Sequence, residues 1–156
     1  MYLLCYNPYM GPEVDRRPRV LLVNRCMILD DINKTLLLKR SPLNRHDPGK
    51  WEFPGGKLDE GQDISHALER EVLEETGLLV QQSTRLFYVE SEIVMDGPYA
   101  GLPYVVLIGT GKLIGGKLML SDEHDDYAWT TPEKAFDFDL KSEIRKSLAV
   151  FTSTRT

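Results

Sequence analysis

At 156 residues, with 42% hydrophobic and 28% charged side chains, the chain has the size and balance of one soluble domain with its own core. A net charge of −5 excludes a broad basic footprint for DNA or RNA; the two cysteines and three scattered histidines exclude a disulfide framework and a zinc centre. No stretch approaches the roughly 20 apolar residues of a membrane span, and the apolar start over residues 1–6 lacks the basic region of a signal peptide, so the expected location is the cytoplasm.

Residues 1–18 hold three prolines and no clear period, and read as an extension with one short strand over 2–6. The domain proper is expected over 19–156. Residues 20–29 are rich in Val, Ile and Leu, the run Asp30-Asp31-Ile32-Asn33-Lys34 has turn chemistry, and Thr35 to Arg40 returns, so 19–40 reads as a β-hairpin. A polar loop follows, then a short strand at Trp51-Glu52-Phe53 ended by Pro54-Gly55-Gly56. A helix is expected over 63–76, with Asp63 as N-cap, Gly77 in the left-handed position after it, and Ile64, Leu68 and Val72 as its buried stripe. Strands are expected over 85–95 and 104–113, then a Gly115-Gly116 turn, a short strand over 117–120 and a last one over 127–130. Thr130, Pro132 and Glu133 form a capping box, and Leu140, Ile144 and Leu148 mark a closing amphipathic helix over 139–151 capped by Asp139. This order predicts a single α/β (α+β) domain, a mixed sheet flanked by helices.

The first helix carries the chemistry. Glu71, Glu74 and Glu75 stand at i, i+3 and i+4 on one face, where like charges repel by roughly 0.2–0.5 kcal/mol per pair. A divalent cation held by oxygen ligands, Mg²⁺ or Mn²⁺, would supply the counter-charge and would in turn handle phosphate.

Gly56, Arg70, Glu71, Val72, Glu74, Glu75, Gly77 and Leu78 fall in the register of the Nudix box. The chance of that at a given start is on the order of 10⁻⁸ from average residue usage. The chain therefore resembles the Nudix hydrolases, whose fold is an α/β/α sandwich, and the run Lys50-Trp51-Glu52-Phe53-Pro54-Gly55-Gly56-Lys57 looks like the MutT-type branch. One position departs: Gln62 stands where the box has a glutamate, and Gln62 is expected to accept a hydrogen bond from Arg70.

The resemblance implies a metal site of Glu71, Glu74, Glu75 and the Gly55 carbonyl, with Glu123 as a further ligand from outside the box. It implies a catalytic group of Glu74 or Glu123 as the base, with Arg70 orienting the glutamates, and it implies Arg40 on a substrate phosphate. Trp51 and Phe53 are candidates for stacking on a base. Glu52 reads either as a partner behind the site or as a plain surface acid, His124 as a surface histidine, and Tyr99 and Tyr104 as strand packing.

The implied reaction is Mg²⁺-dependent hydrolysis of a pyrophosphate bond in a nucleoside triphosphate or related diphosphate derivative, releasing a monophosphate and pyrophosphate or a phosphorylated leaving group. The partner is a small nucleotide, with neither long nucleic acid nor membrane expected, and the apolar start is compatible with a homodimer. Two other readings compete: a nucleotide-binding regulatory module without chemistry, which usually loses the box glutamates, and a hydrolase of RNA 5′ ends or dinucleoside polyphosphates, which the acidic balance disfavours for long RNA.

Overall fold

The computed structural model describes residues 19–154, the side chains of 82–84 excepted. The expectations placed on residues 1–18, the short strand and a dimer surface, lie outside that range. In chain order the strands are β1 (Leu21–Leu29), β2 (Thr35–Arg40), β3 (Trp51–Glu52), β4 (Gly55–Lys57), β5 (Leu78–Ile93), β6 (Pro103–Gly116) and β7 (His124–Thr130). Helix α1 (Ile64–Thr76) lies between β4 and β5, and α2 (Ser142–Ser153) closes the chain. Short 3₁₀ turns stand at Gly97–Tyr99 and Lys134–Asp137.

One mixed sheet results, with β1 parallel to β6 from Leu21 beside Tyr104 to Leu29 beside Lys112, and β6 antiparallel to β5. The central β1 has few polar residues because both of its faces are covered. Side chains alternate across the strands, so Met27 and Leu37 enter one core with Val106, Ile108, Ile144 and Leu148 from α2. Cys26, Ile28, Leu36 and Leu38 enter a second core with Leu68 and Val72 from α1. A sheet with a helix on each face is the expected α/β/α sandwich. Among the described residues no helix is long and apolar enough to cross a membrane.

Several expected elements are displaced, each for a visible reason. β1 and β2 pair only where Leu29 meets Thr35, because β4 takes the edge of β1 at Val23, Asn24 and Arg25, and β7 takes the length of β2. The hairpin is therefore open beyond its turn. Residues 117–120 form no strand; Met119 N–H donates to the Thr76 carbonyl and Ser121 N–H to that of Glu75, satisfying acceptors that the end of α1 leaves free. Asp139 does not cap α2. Its carbonyl accepts from Trp51 N–H, the Trp51 carbonyl accepts from Lys141 N–H, and its carboxylate pairs with Lys50, so residues 139–141 stay extended and the helix starts at Ser142. The capping box opens only a 3₁₀ turn, and Thr131 rather than Thr130 accepts from Lys134 N–H. Ile64, expected in the buried stripe, is 39% exposed, while Leu68 and Val72 are buried as expected.

Candidate active site at the glycine corner

β4 turns the chain from the sheet into the loop before α1, and two glycines make the turn fit. Gly55 has φ 132°, and a Cβ there would lie 2.2 Å from the Asn24 carbonyl oxygen. A Cβ on Gly56 would lie 2.4 Å from Glu71 Oε2. The bare backbone thus lets β4 press on β1 and lets the Glu71 carboxylate reach the loop. Asp63 starts α1 by accepting from the N–H groups of Ser65 and His66, and Gly77 ends it at φ 68°.

This frame sets the glutamates in unequal places. Glu75 is buried, and its Oε2 accepts from Gly55 N–H at 2.8 Å. Burial pushes its pKa up to about 7, with Arg25, His124 and the Gly55 N–H pulling the other way. Glu71 is half-buried beside Gly56 and pairs with Arg70 at 2.8 Å. Glu74 has a 58% exposed side chain, pairs with Arg70 at 2.9 Å, and does not line the cleft. Arg70 thus bridges two of the glutamates. Gln62 does not meet Arg70; it accepts from Asp59 N–H and stiffens the loop locally.

Gly55, Gly56, Glu71, Glu75 and Glu123 line one cleft of about 890 Å³. Arg40, Arg45, Lys57 and Lys141 line it too, as do Met95 and Tyr99 from the β5–β6 loop. Arg40 is held there by donating from Nη1 to Glu52 at 2.8 Å and from Nε to the His46 carbonyl at 2.9 Å. The candidates for base stacking fall elsewhere. Phe53 is fully buried in the core shared with α2 and has no face open to a base, and Trp51 packs edge-on against Phe138, 4.8 Å between ring centroids. Strand alternation sends both rings to the core and leaves Glu52 on the opposite side.

Sequence reasoning offered Glu52 as a partner behind the site in one of two readings, but missed the cluster of Arg25 and His124 around it beneath the cleft. Glu52 is fully buried, paired with Arg25 and Arg40 at 2.8 Å each. Burial works to raise its pKa, but Arg25, the His124 hydrogen bond, Lys141 and Arg40 outweigh this and hold it well below the usual carboxylate range. His124, read as a surface residue, is buried with Nε2 3.1 Å from Glu52 Oε1. The available signal was Asn24-Arg25 inside an otherwise apolar strand, since a buried charge requires a partner.

The donor set suits a hard cation: the carboxylates of Glu71, Glu75 and Glu123 and the Gly55 carbonyl are oxygens, and no cysteine lines the cleft with them. Among the described residues no three such side chains are already closed on one another as around an ion; Arg70 pairs with Glu71, and Gly55 N–H donates to Glu75. The fit is therefore one of donor chemistry and a shared cleft.

Comparison with known proteins agrees with this architecture. The NUDIX domain family matches residues 20–151. The nucleoside triphosphatase NudI of Escherichia coli O139:H28 is 29% identical over 128 residues, covering 79% of this chain and 91% of its own length. The crystal structure of a MutT protein from Methanosarcina mazei Go1 shares the fold with a TM-score of 0.76 at 23% identity, covering 90% of this chain and 98% of that one. The solution structure of the E. coli ORF135 protein has a TM-score of 0.70 at 25% identity, covering 89% and 93%. With the box in register on a capped helix and the family match spanning both helices and the whole sheet, the chain belongs to the NUDIX family and is a Nudix hydrolase.

Proposed function

We propose that the chain hydrolyses a phosphoanhydride bond of a nucleoside triphosphate, or of a related nucleoside diphosphate derivative, with Mg²⁺ as the required ion. The observation that carries this is one cleft lined both by Glu71, Glu75, Glu123 and the Gly55 corner and by Arg40, Arg45, Lys57 and Lys141. Oxygen donors for a cation and basic groups for phosphate in one cleft suit a polyphosphate chain. The name of the E. coli relative, a nucleoside triphosphatase, points to the same substrate class.

Glu71, Glu75, Glu123 and the Gly55 carbonyl would hold the ion, with Glu74 at its margin behind Arg70. Bound there, the ion supplies charge neutralisation of the phosphate oxygens and a water of lowered pKa. Arg40 holds a phosphate, and Glu123 accepts the proton of the attacking water; Glu74, the other candidate base, would have to leave Arg70 and turn into the cleft to do so. As the water oxygen bonds to phosphorus, the bridging P–O bond breaks and the displaced group leaves on that oxygen: a nucleoside triphosphate gives a nucleoside monophosphate and pyrophosphate, and a diphosphate derivative gives a monophosphate and a phosphorylated leaving group.

Incubation with a panel of nucleoside triphosphates tests this, with pyrophosphate as the readout. Release should require Mg²⁺ or Mn²⁺, and Glu75→Gln should lower turnover at least about a hundredfold, the scale of one lost charge at a reacting centre. Tight nucleotide binding without any release of phosphate or pyrophosphate would instead identify a binding module.

A further inference from the structure

The floor of the cleft rests on a carboxylate that this reaction scheme does not use. Glu52 lies on β3, fully buried on the face of the strand opposite Trp51 and Phe53. Basic groups from four separate segments converge on it. Arg25 Nη2, from β1, is 2.8 Å from Oε2, and Arg40 Nη1, from β2, is 2.8 Å from Oε1. His124 Nε2, at the start of β7, is 3.1 Å from Oε1, and Lys141 Nζ, just before α2, is 3.4 Å from Oε2.

Arg25, Arg40 and Lys141 line the cleft, and His124 is one link from it. Arg25 Nη1 donates to the carbonyls of Phe53 and Gly55, at 3.0 and 2.9 Å. Gly55 N–H then donates to Glu75. His124 follows Glu123, whose carbonyl accepts from Ser41 N–H and Asn44 Nδ2. Arg40 and Lys141 line the cleft directly.

We propose that Glu52 is a positioning residue: through Arg25 it sets the Gly55 carbonyl and the Glu75 carboxylate for the metal, and through Arg40 it sets the phosphate-binding guanidinium. The inference rests on the hydrolase reading above. An anion is needed at this point because two guanidinium forks and an ammonium face one another there, and a charge-assisted fork fixes direction as well as distance. An amide in its place would offer one acceptor oxygen and turn two donors towards groups that can only donate.

Mn²⁺ serves as the probe, with free ion read by electron paramagnetic resonance on the full chain, beside steady-state hydrolysis of a nucleoside triphosphate. Glu52→Gln should weaken Mn²⁺ binding at least about tenfold although Glu52 is no ligand, as expected when the support of a ligand is lost. It should also lower kcat, because Arg40 and the Gly55 corner shift together. Since the variant leaves the Arg25, Arg40 and Lys141 cations around a neutral amide, Glu52→Gln combined with Lys141→Met removes one charge of each sign and guards against unfolding. That pair should bind Mn²⁺ at least about tenfold more weakly than Lys141→Met alone.

Unchanged Mn²⁺ affinity in both comparisons, with only a lower melting temperature, would reduce Glu52 to a structural ion pair and overturn the proposal. A wild-type chain that binds Mn²⁺ but hydrolyses no nucleotide would sink the hydrolase reading, while the Mn²⁺ comparison would still decide this one. A wild-type chain that binds no Mn²⁺ would overturn both.

Discussion

Glu75 is buried with one oxygen on the Gly55 amide, and burial raises its pKa from the ordinary 4.5 to about 7 against the pull of Arg25, His124 and that amide. In the metal-free protein its ionisation therefore opposes folding. The penalty is absent below pH 4.5, where the carboxyl is protonated in both states, grows as pH rises, and is complete above about pH 7. Glu52 stays ionised in the folded protein across this window, because Arg25, His124, Lys141 and Arg40 outweigh its burial; its own contribution, of opposite sign, is confined to the acid end near pH 4.5, where the unfolded chain takes up its proton, and is the same in wild type and variant. With metal chelated, Glu75→Gln should be more stable than the wild type at pH 8, by on the order of 2–3 kcal/mol, with the gap closing by pH 5. Thermal melts across that range check this; a variant that melts lower than the wild type at pH 8 would show that the buried carboxylate is not under strain. The same residue predicts proton release on metal binding, since a ligand carboxylate must be ionised. Adding Mn²⁺ in weak buffer should release protons at pH 6 and few at pH 8.

β4 and α1 act as one unit, because the helix delivers Glu71 to a backbone that has no side chain in the way. Gly56→Ala should test this unit without unfolding it: the new Cβ meets the end of a flexible side chain, Glu71 Oε2 at 2.4 Å, and Glu71 must swing aside. Turnover should fall at least about tenfold, the effect of misplacing a site carboxylate, while the melting temperature changes little. Asp63→Ala should do the reverse, costing about 1 kcal/mol of stability through the lost cap and leaving KM and kcat in place. These contrasts show why α1 was legible in the sequence. Its cap, its left-handed glycine and its Leu68 and Val72 are all local signals within one short window. The start of α2 was not legible, because Asp139 is a good cap by composition and is pre-empted by Lys50 and by backbone bonds to Trp51 across the fold. Residues 117–120 likewise looked like a strand, but the amides of Met119 and of Ser121 just after it go to the carbonyls at the end of α1.

The cleft as a whole joins segments far apart in the chain: the β2–β3 loop, β4, α1, the β5–β6 loop and the start of β7. The box revealed one wall only, because its spacing is local, whereas the opposing wall depends on how loops meet. Tyr99 shows the difference. Read as strand packing, it stands on the 3₁₀ turn of the β5–β6 loop, 43% exposed at the cleft, with Lys57 Nζ 5.2 Å from its ring centroid. The loop is held in shape by hydrogen bonds between Val94 and Leu102, Gly101 and Val94, and Leu102 and Tyr99. A cleft of about 890 Å³ has room for a whole nucleotide, so once the phosphates lie against Glu71, Glu75 and Arg40 the base has length to reach this far end. Phe53 is buried and Trp51 is turned to Phe138, which leaves Tyr99 and Tyr104 as the described aromatic side chains lining the cleft, Tyr99 being the one on the β5–β6 loop. Stacking on an aromatic ring is worth about 1–3 kcal/mol per base, so Tyr99→Ala should raise KM for a nucleoside triphosphate about tenfold and leave kcat nearly unchanged. Trp51→Phe should move neither constant, because that ring serves the core. Steady-state kinetics on both variants decide it: a KM effect at Trp51 with none at Tyr99 would place the base on the other side of the sheet from the β5–β6 loop.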